Sequence, residues 1–242
     1  MKVIICIIIS LLINISGIRS QNFEAYQKII DPEFKAFVDL FHKKDLPIDT
    51  EWLVANQPWI LKKSREVNIP EIPEDLLAKF LMEPGDGKFI FPIFRTGDEA
   101  GNEIKVYGDF YPVFKLPTNG DYVILVIAQL SNVSLGENEV YAYSFDLNGN
   151  FISGINSLYS ADSWIINNKI SNDLTTTSKG AFRYKNDVKM TADPYTPEAI
   201  IETDIHKINS DGAITKLSSE QKNAKIKYVE SEKRLKVIEY LD

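Results

Sequence analysis

Nine consecutive residues, Tyr122 to Leu130 (Tyr-Val-Ile-Leu-Val-Ile-Ala-Gln-Leu), are apolar at odd and even positions alike, with Gln129 the one polar side chain. Strand side chains alternate between two faces, so this run puts apolar surface on both. Such a strand is stable only inside a sheet that is covered above and below. The fold must therefore supply two covering layers, and the N-terminal part of the chain is predicted to supply one of them.

That part reads as helical. Phe23, Tyr26, Ile30, Phe34, Phe37 and Phe41 recur at steps of three and four, which marks one apolar stripe. Pro32 divides the stripe into two helices. Asp31 can cap the second, Pro32 fits a first turn that needs no amide hydrogen, and Glu33 suits the positive end. Leu46-Pro47 is predicted to end it. A shorter helix is expected over Pro73–Leu81, with Leu76, Leu77, Phe80 and Leu81 on its apolar face and Pro84-Gly85 as the stop. Between them, Trp52 and Trp59, among Pro58, Pro70 and Pro73, read as core fillers in irregular chain.

From Lys88 onward the period changes to two and turn dipeptides recur, the pattern of an antiparallel meander. Phe89 to Phe94 opens it. Tyr141 to Asp146 puts its aromatics on one face and Ala142 and Ser144 on the other, as in a half-buried strand. Leu147-Asn148-Gly149-Asn150 then turns the chain, and Phe151 to Ile155 returns. A second hairpin joins Ile200–Ile208 to Ala213–Leu217 around Asp211-Gly212. Trp164–Ile170, Leu174–Thr177 and Ala181–Lys185 are three further strands, and Asp193-Pro194-Tyr195-Thr196-Pro197 is a loop. Lys225–Val229 and Leu235–Tyr240 form either a final hairpin across Ser231-Glu232-Lys233 or a charged helix. The expected class is α+β: a short helical region packed on one large, mostly antiparallel sheet of about eight to ten strands. Sandwich, barrel and propeller-like closures stay open, because period-two patterning does not separate them.

The chain is expected to be exported. The apolar run Val3–Ile18 follows Met1-Lys2 and closes on Gly17-Ile18-Arg19-Ser20, so a signal peptide over residues 1–20, cut between Ser20 and Gln21, is predicted. Sixteen apolar residues come close to the ~20 that span a bilayer as a helix, so a retained anchor is the alternative; the short length and Ser20 favour cleavage, after which no membrane insertion is expected and the location is secreted or periplasmic. Cys6 is the only cysteine and leaves with the leader, so stability must come from a core rather than disulfides. Residues 21–85 form the helical lead and 86–242 the β domain, folding together as one unit. With 44% hydrophobic residues the chain can build that core. The formal charge is −7, and −9 once Lys2 and Arg19 are removed, which disfavours nucleic acid as a partner.

Candidate sites are few. Asp146, Asn148 and Asn150 alternate like the first ligands of a calcium loop, but such a loop needs Gly sixth and Glu twelfth, and Ser157 stands twelfth here; hairpin chemistry accounts for them. Only His42 and His206 exist, so a zinc site built on several imidazoles is excluded. His42, beside Lys43 and Lys44, reads as a helix C-terminal cation. His206 alternates with Asp204 and Glu202 on a polar strand face, an arrangement able to orient a general base, with solvent exposure the simpler reading. Tyr107, Phe110, Tyr111 and Phe114 crowd one stretch, either as core or as an aromatic platform. Tyr107, Tyr111 and His206 are the ligand-binding candidates. Asp109, Asp121 and Asp162 adjoin aromatic residues, and a glycosidase needs only two carboxylates at suitable separation. Asn132-Val133-Ser134 is an acceptor triplet for N-glycosylation in a eukaryotic host. No cofactor and no metal ion is implied.

Phe34 to Pro47 (Phe-Lys-Ala-Phe-Val-Asp-Leu-Phe-His-Lys-Lys-Asp-Leu-Pro), then Ile72 to Leu81, then Tyr143-Ser-Phe-Asp-Leu-Asn-Gly-Asn-Phe-Ile152 resemble, in order, uncharacterised exported proteins of Bacteroidota, in which a helical lead precedes a β-meander with Asp-x-Asn-Gly hairpins. The resemblance implies an envelope or secreted location and no particular activity. The expected function is a binding or interaction module whose partner is an envelope glycan or a protein. A carboxylate-dependent hydrolase of a glycan or cell-wall polymer is the alternative, and an inhibitor or immunity-type protein the third reading.

Overall fold

The structure, a computed structural model, describes residues 23–49, 70–81, 109–118, 120–130, 139–160, 164–184, 198–229 and 234–241. The leader, Trp52, Trp59, Phe89–Phe94, Tyr107, Asn132-Val133-Ser134, Asp162, the Asp193–Pro197 loop and the Ser231–Lys233 turn lie outside the described residues. Nine strands are described: β1 (Asp109–Leu116), β2 (Tyr122–Leu130), β3 (Glu139–Asp146), β4 (Phe151–Ser160), β5 (Trp164–Ile170), β6 (Thr175–Tyr184), β7 (Glu198–Ile208), β8 (Ile214–Val229) and β9 (Arg234–Leu241). Every pairing between them is antiparallel and sequential. They form two meanders, one of four strands in the order β1-β2-β3-β4 and one of five in the order β5-β6-β7-β8-β9, a division that the period-two pattern leaves open.

The run Tyr122–Leu130 is an interior strand, paired to β1 on one side and β3 on the other. Val123, Leu125 and Ile127 face the helices; Ile124, Val126 and Ala128 face the other way, towards the end of the second sheet. All six are 0% exposed. Each such Val, Leu or Ile contributes roughly 1.5–3 kcal/mol by leaving water, which makes this strand the thermodynamic centre of the molecule. In β3, Tyr141, Tyr143 and Phe145 lie on the helix side. Ala142 and Ser144 are also at 0% exposure, so β3 is covered on both faces rather than half-buried.

The helix side is built by a 3-10 turn (Glu24–Gln27), α1 (Pro32–Asp39) and α2 (Glu74–Phe80). Asp31 caps α1, its Oδ1 accepting the Phe34 N–H at 2.7 Å, with Pro32 in the first turn. Phe34 and Phe37 of α1, Phe80 of α2 and Phe145 of β3 meet at ring separations of 5.2–6.4 Å. Tyr26 reaches further, into the sheet itself. Its hydroxyl donates to the Leu116 carbonyl at 2.5 Å and accepts the Ile124 N–H at 3.2 Å, so it joins β1 to β2 at a registered pair.

Two expectations for this region need correction. Ile30 does not belong to the buried stripe: it is 75% exposed, while Ile29 is buried. The 3-10 turn and the non-helical residues before Asp31 break the 3.6-residue phase. The helix after Pro32 stops at Asp39, well before Leu46-Pro47, and His42 lies beyond it rather than at its C-terminus. The residues that follow find better partners in strands. His42 O accepts from Lys115 N–H at 2.8 Å, Lys44 N–H donates to Lys115 O at 3.0 Å, and Ile48 exchanges both backbone bonds with Ile170 at 2.9 and 2.8 Å. This segment thus covers part of the outer edge of β1 and then part of that of β5, which ties the two sheets together. Lys115 adds a cross-link: its ammonium, buried, donates to Val38 O at 3.0 Å and caps the end of α1 from the sheet.

Three hairpin turns share one geometry. In Asp146–Asn150, Ser171–Thr175 and Asn209–Ala213 the first residue's N–H donates to the fifth residue's carbonyl, and the fourth residue's N–H donates back to the first residue's carbonyl. The fourth residue has positive φ each time: Gly149 at +87°, Leu174 at +62° and Gly212 at +85°. This is the three-residue loop in which a left-handed residue closes the hairpin. Gly149 is required twice over, since a Cβ there would stand 2.8 Å from Phe34 and 2.9 Å from Phe80. The 209–213 turn docks on the first sheet, with Ser144 Oγ donating to Gly212 O at 2.6 Å.

The second sheet corrects the remaining strand expectations. Leu174 belongs to the turn, and the two short strands proposed over 174–185 are the single strand β6. Lys225–Val229 is the far end of the sixteen-residue β8, and its pairing with β9 is the final hairpin, not a helix. Among the described side chains, it is the turn-bearing end of this sheet, with Ile170, Leu174 and Ile208, that joins the core beneath the first sheet. Its far end holds a small cluster of its own, Ala199, Ile201, Ala224 and Ile226. Among the described residues no helix is long and apolar enough to cross a membrane.

Candidate functional site

Of the ligand-binding candidates from the sequence, Tyr111 and His206 stand on different sheets. Tyr107 lies outside the described residues. Tyr111 is half-buried on β1 and its hydroxyl donates to Glu71 Oε1 at 3.0 Å. Its neighbours Phe110 and Phe114 are 2% and 1% exposed and enter the two opposite cores, so these two form no platform. Asp146 serves its turn: Asn148 N–H, Asn150 N–H and Asn150 Nδ2 donate to its carboxylate at 2.8, 2.9 and 2.7 Å. Burial would raise the Asp146 pKa, and the bonds from Asn150 and Asn148 outweigh it and hold it below the ordinary value.

His206 stands on β7 with Glu202 and Asp204, and the cross-strand register carries this polar face onto Ser178 of β6 and Lys216 and Ser219 of β8. The alternation read from the sequence is therefore real, but the contacts differ from a base held by a carboxylate. Asp204 is ion-paired to Lys216 at 2.8 Å, and Ser219 Oγ donates to Glu202 Oε1 at 3.2 Å. His206 Nδ1 is shielded from solvent and makes no hydrogen bond among the described residues. Burial lowers the His206 pKa; Asp204 works against that and Lys216 adds to it, so the ring is neutral at neutral pH. A base without an orienting partner lacks the arrangement that makes imidazole effective in proton transfer.

The opposite face of the same sheet carries a constellation that sequence reading missed. Lys179 of β6 and Tyr240 of β9 are separated by β7 and β8, three strand spacings or about 14 Å on a flat sheet. Yet the Lys179 ammonium lies 4.9 Å from the Tyr240 ring centroid and donates to the Tyr240 hydroxyl. The sheet is therefore curled, with this face inside the curve. Lys222 of β8 reaches the same ring at 5.9 Å and pairs with Glu220 at 2.8 Å. Register places Lys169, Thr177, Lys179, Thr203, Glu220 and Lys222 on this concave side. Glu198, Glu202, Asp204 and Glu239 stand on the convex side, interleaved with Lys216, Lys225, Lys227 and Lys236. No signal in the sequence groups Lys179, Lys222 and Tyr240, because they come from three strands and meet only through the curl.

No family model, curated protein or solved structure matches the chain.

Proposed function

We propose that the chain is an exported binding module, an α+β domain that the leader directs to the periplasm or the exterior with cleavage between Ser20 and Gln21. In this reading the helices and the first sheet are the scaffold and the second sheet is the working surface. One observation carries it: the eight successive β8 residues Thr215–Lys222 are all exposed, on both faces of the sheet. Ordering a strand costs roughly 1–2 kcal/mol per residue in backbone entropy, and a strand exposed on both faces recovers little of that through burial. A sheet built this way stabilises the molecule weakly and presents surface. The resemblance to exported Bacteroidota proteins agrees with an envelope location, and the partner is an envelope glycan or a protein.

The test is twofold. Mass spectrometry of protein recovered outside the cytoplasm is expected to find a mature chain beginning at Gln21; recovery only in the cytoplasm with the leader intact overturns export. The purified mature chain is expected to be retained on an envelope fraction, less so after charge reversal on the second sheet. Retention unchanged by every substitution on that sheet removes it as the working surface.

A further inference from the structure

Two ammonium groups converge on one point of the second sheet. Lys179 of β6 and Lys222 of β8 stand on strands separated by β7, yet their Nζ atoms lie 4.9 and 5.9 Å from the centroid of a single ring, that of Tyr240 on β9. The ring attracts both cations, and the cations repel each other unless an anion stands beside them. Lys222 has Glu220 at 2.8 Å, two residues away on the same strand. Lys179 has the neutral Tyr240 hydroxyl as its partner and no carboxylate among the described residues. The hydrogen-bond inventory of the cluster is therefore one-sided. Each ammonium carries three protons, of which Lys179 gives one to Tyr240 and Lys222 one to Glu220; the Tyr240 oxygen accepts from Lys179, which leaves its own proton to donate. Thr203, registered between Lys179 and Glu220, adds a hydroxyl on the same side. Tyr240 is 44% exposed and Lys222 is exposed, so these donors are open to a ligand from solvent.

Resting on the binding-module reading above, we propose that Lys179, Lys222 and Tyr240 form a site for one compact dianion, the phosphate group of a phosphate monoester. Such a group carries a charge of about −1.5 to −2 at neutral pH and three strong acceptor oxygens. Two ammoniums and one hydroxyl match it in charge and in donors. A carboxylate brings one charge and two oxygens, which leaves one of the cations unanswered. The phosphate also removes the repulsion between Lys179 and Lys222 that the ring alone only offsets. Lys222 exchanges Glu220 for the ligand at little cost, because both members of that pair are exposed to water.

Isothermal titration calorimetry of the purified chain with glucose 1-phosphate, inorganic phosphate, glucuronate and glucose tests the proposal. Both phosphates are expected to bind, glucose not at all, and glucuronate about tenfold more weakly than glucose 1-phosphate, because it brings one charge in place of two. Affinity for glucose 1-phosphate is expected to rise from about pH 5 to about pH 7, as the second phosphate proton leaves. Lys179→Gln and Lys222→Gln are each expected to weaken that binding about tenfold, and Tyr240→Phe, which keeps the ring and removes the hydroxyl, by about as much. Lys28→Gln, which removes a cation paired with Asp121 on the helix side of the first sheet, is the control and is expected to bind as the parent does, with circular dichroism confirming that all variants are folded. Equal affinity for the two phosphates assigns recognition to the phosphate group alone, and tighter binding of the ester adds contacts to its sugar; either result supports the site. Glucuronate bound as tightly as glucose 1-phosphate, or phosphate binding that both lysine variants retain in full, overturns it. If neither phosphate binds while the chain is still retained on an envelope fraction, this proposal fails and the binding-module reading survives. If the chain is retained on no envelope fraction either, both fail.

Discussion

Single residues show how burial overrides local preference in this chain. Tyr26 has its hydroxyl where no water reaches, and its pKa is raised, first by burial and also by Tyr122, with its backbone bonds opposing. Tyr26→Phe leaves Ile124 N–H and Leu116 C=O buried without that partner and is expected to cost about 1–3 kcal/mol in urea unfolding. The same residue sets an alkaline dependence. Above a pH of about 10 an unfolded chain loses the phenolic proton while the folded chain keeps it, so stability falls as pH rises through that range. The Phe variant is expected to lose stability less steeply there, and an identical alkaline slope would remove Tyr26 as its cause. Leu174 is the complementary case, a leucine in the left-handed region at φ +62°. Left-handed backbone costs about 1–2 kcal/mol in a residue with a Cβ, whereas deleting a buried leucine costs about 2–5. At 5% exposure burial wins, and Leu174→Gly is expected to destabilise by about 1–3 kcal/mol in spite of relieving the backbone. A more stable Gly variant would mean that strain was the larger quantity.

At the scale of elements, legibility followed local chemistry. Asp31 before Pro32 was readable as a cap because the cap bond spans three residues, and Asp31→Ala is expected to lower stability by about 1 kcal/mol with an unchanged denaturant slope. The Asn148-Gly149 and Asp211-Gly212 turns were readable because glycine marks positive φ. The Ser171–Thr175 turn has the same hydrogen bonds but was read partly as strand, because its left-handed position holds Leu174 and no glycine. Asp173 does that turn's chemistry through its side chain, bonded to Lys207, Ser171 and Thr175, which together hold its pKa well below the ordinary carboxylate value. The end of α1 was misread because its competitor is distant in sequence: Lys115 takes His42 and Lys44 into β pairing 71 or more residues away. The middle of β8, Ser218 to Ala224, has no apolar alternation, and it is a strand because β7 pairs with it throughout.

At the scale of the molecule, the two sheets differ in how firmly they are held. β2 and β3 are buried on both faces, while Thr215–Lys222 of β8 is exposed on both and, among the described strands, paired on one side. Amides of β2 and β3 are expected to exchange with solvent only through global unfolding, and those of Thr215–Lys222 through local opening at lower free energy; equal protection would contradict this division. The sequence alone was enough for the short helices α1 and α2, the central doubly apolar strand, two glycine turns and the antiparallel meander, because each is set by chemistry within a few residues. Tertiary contacts decided that the meander breaks into two sheets after β4, that no carboxylate among the described residues bonds the His206 ring, and that Lys179, Lys222 and Tyr240 meet. Those outcomes depend on sheet curl and on contacts between distant strands, which period and composition do not encode.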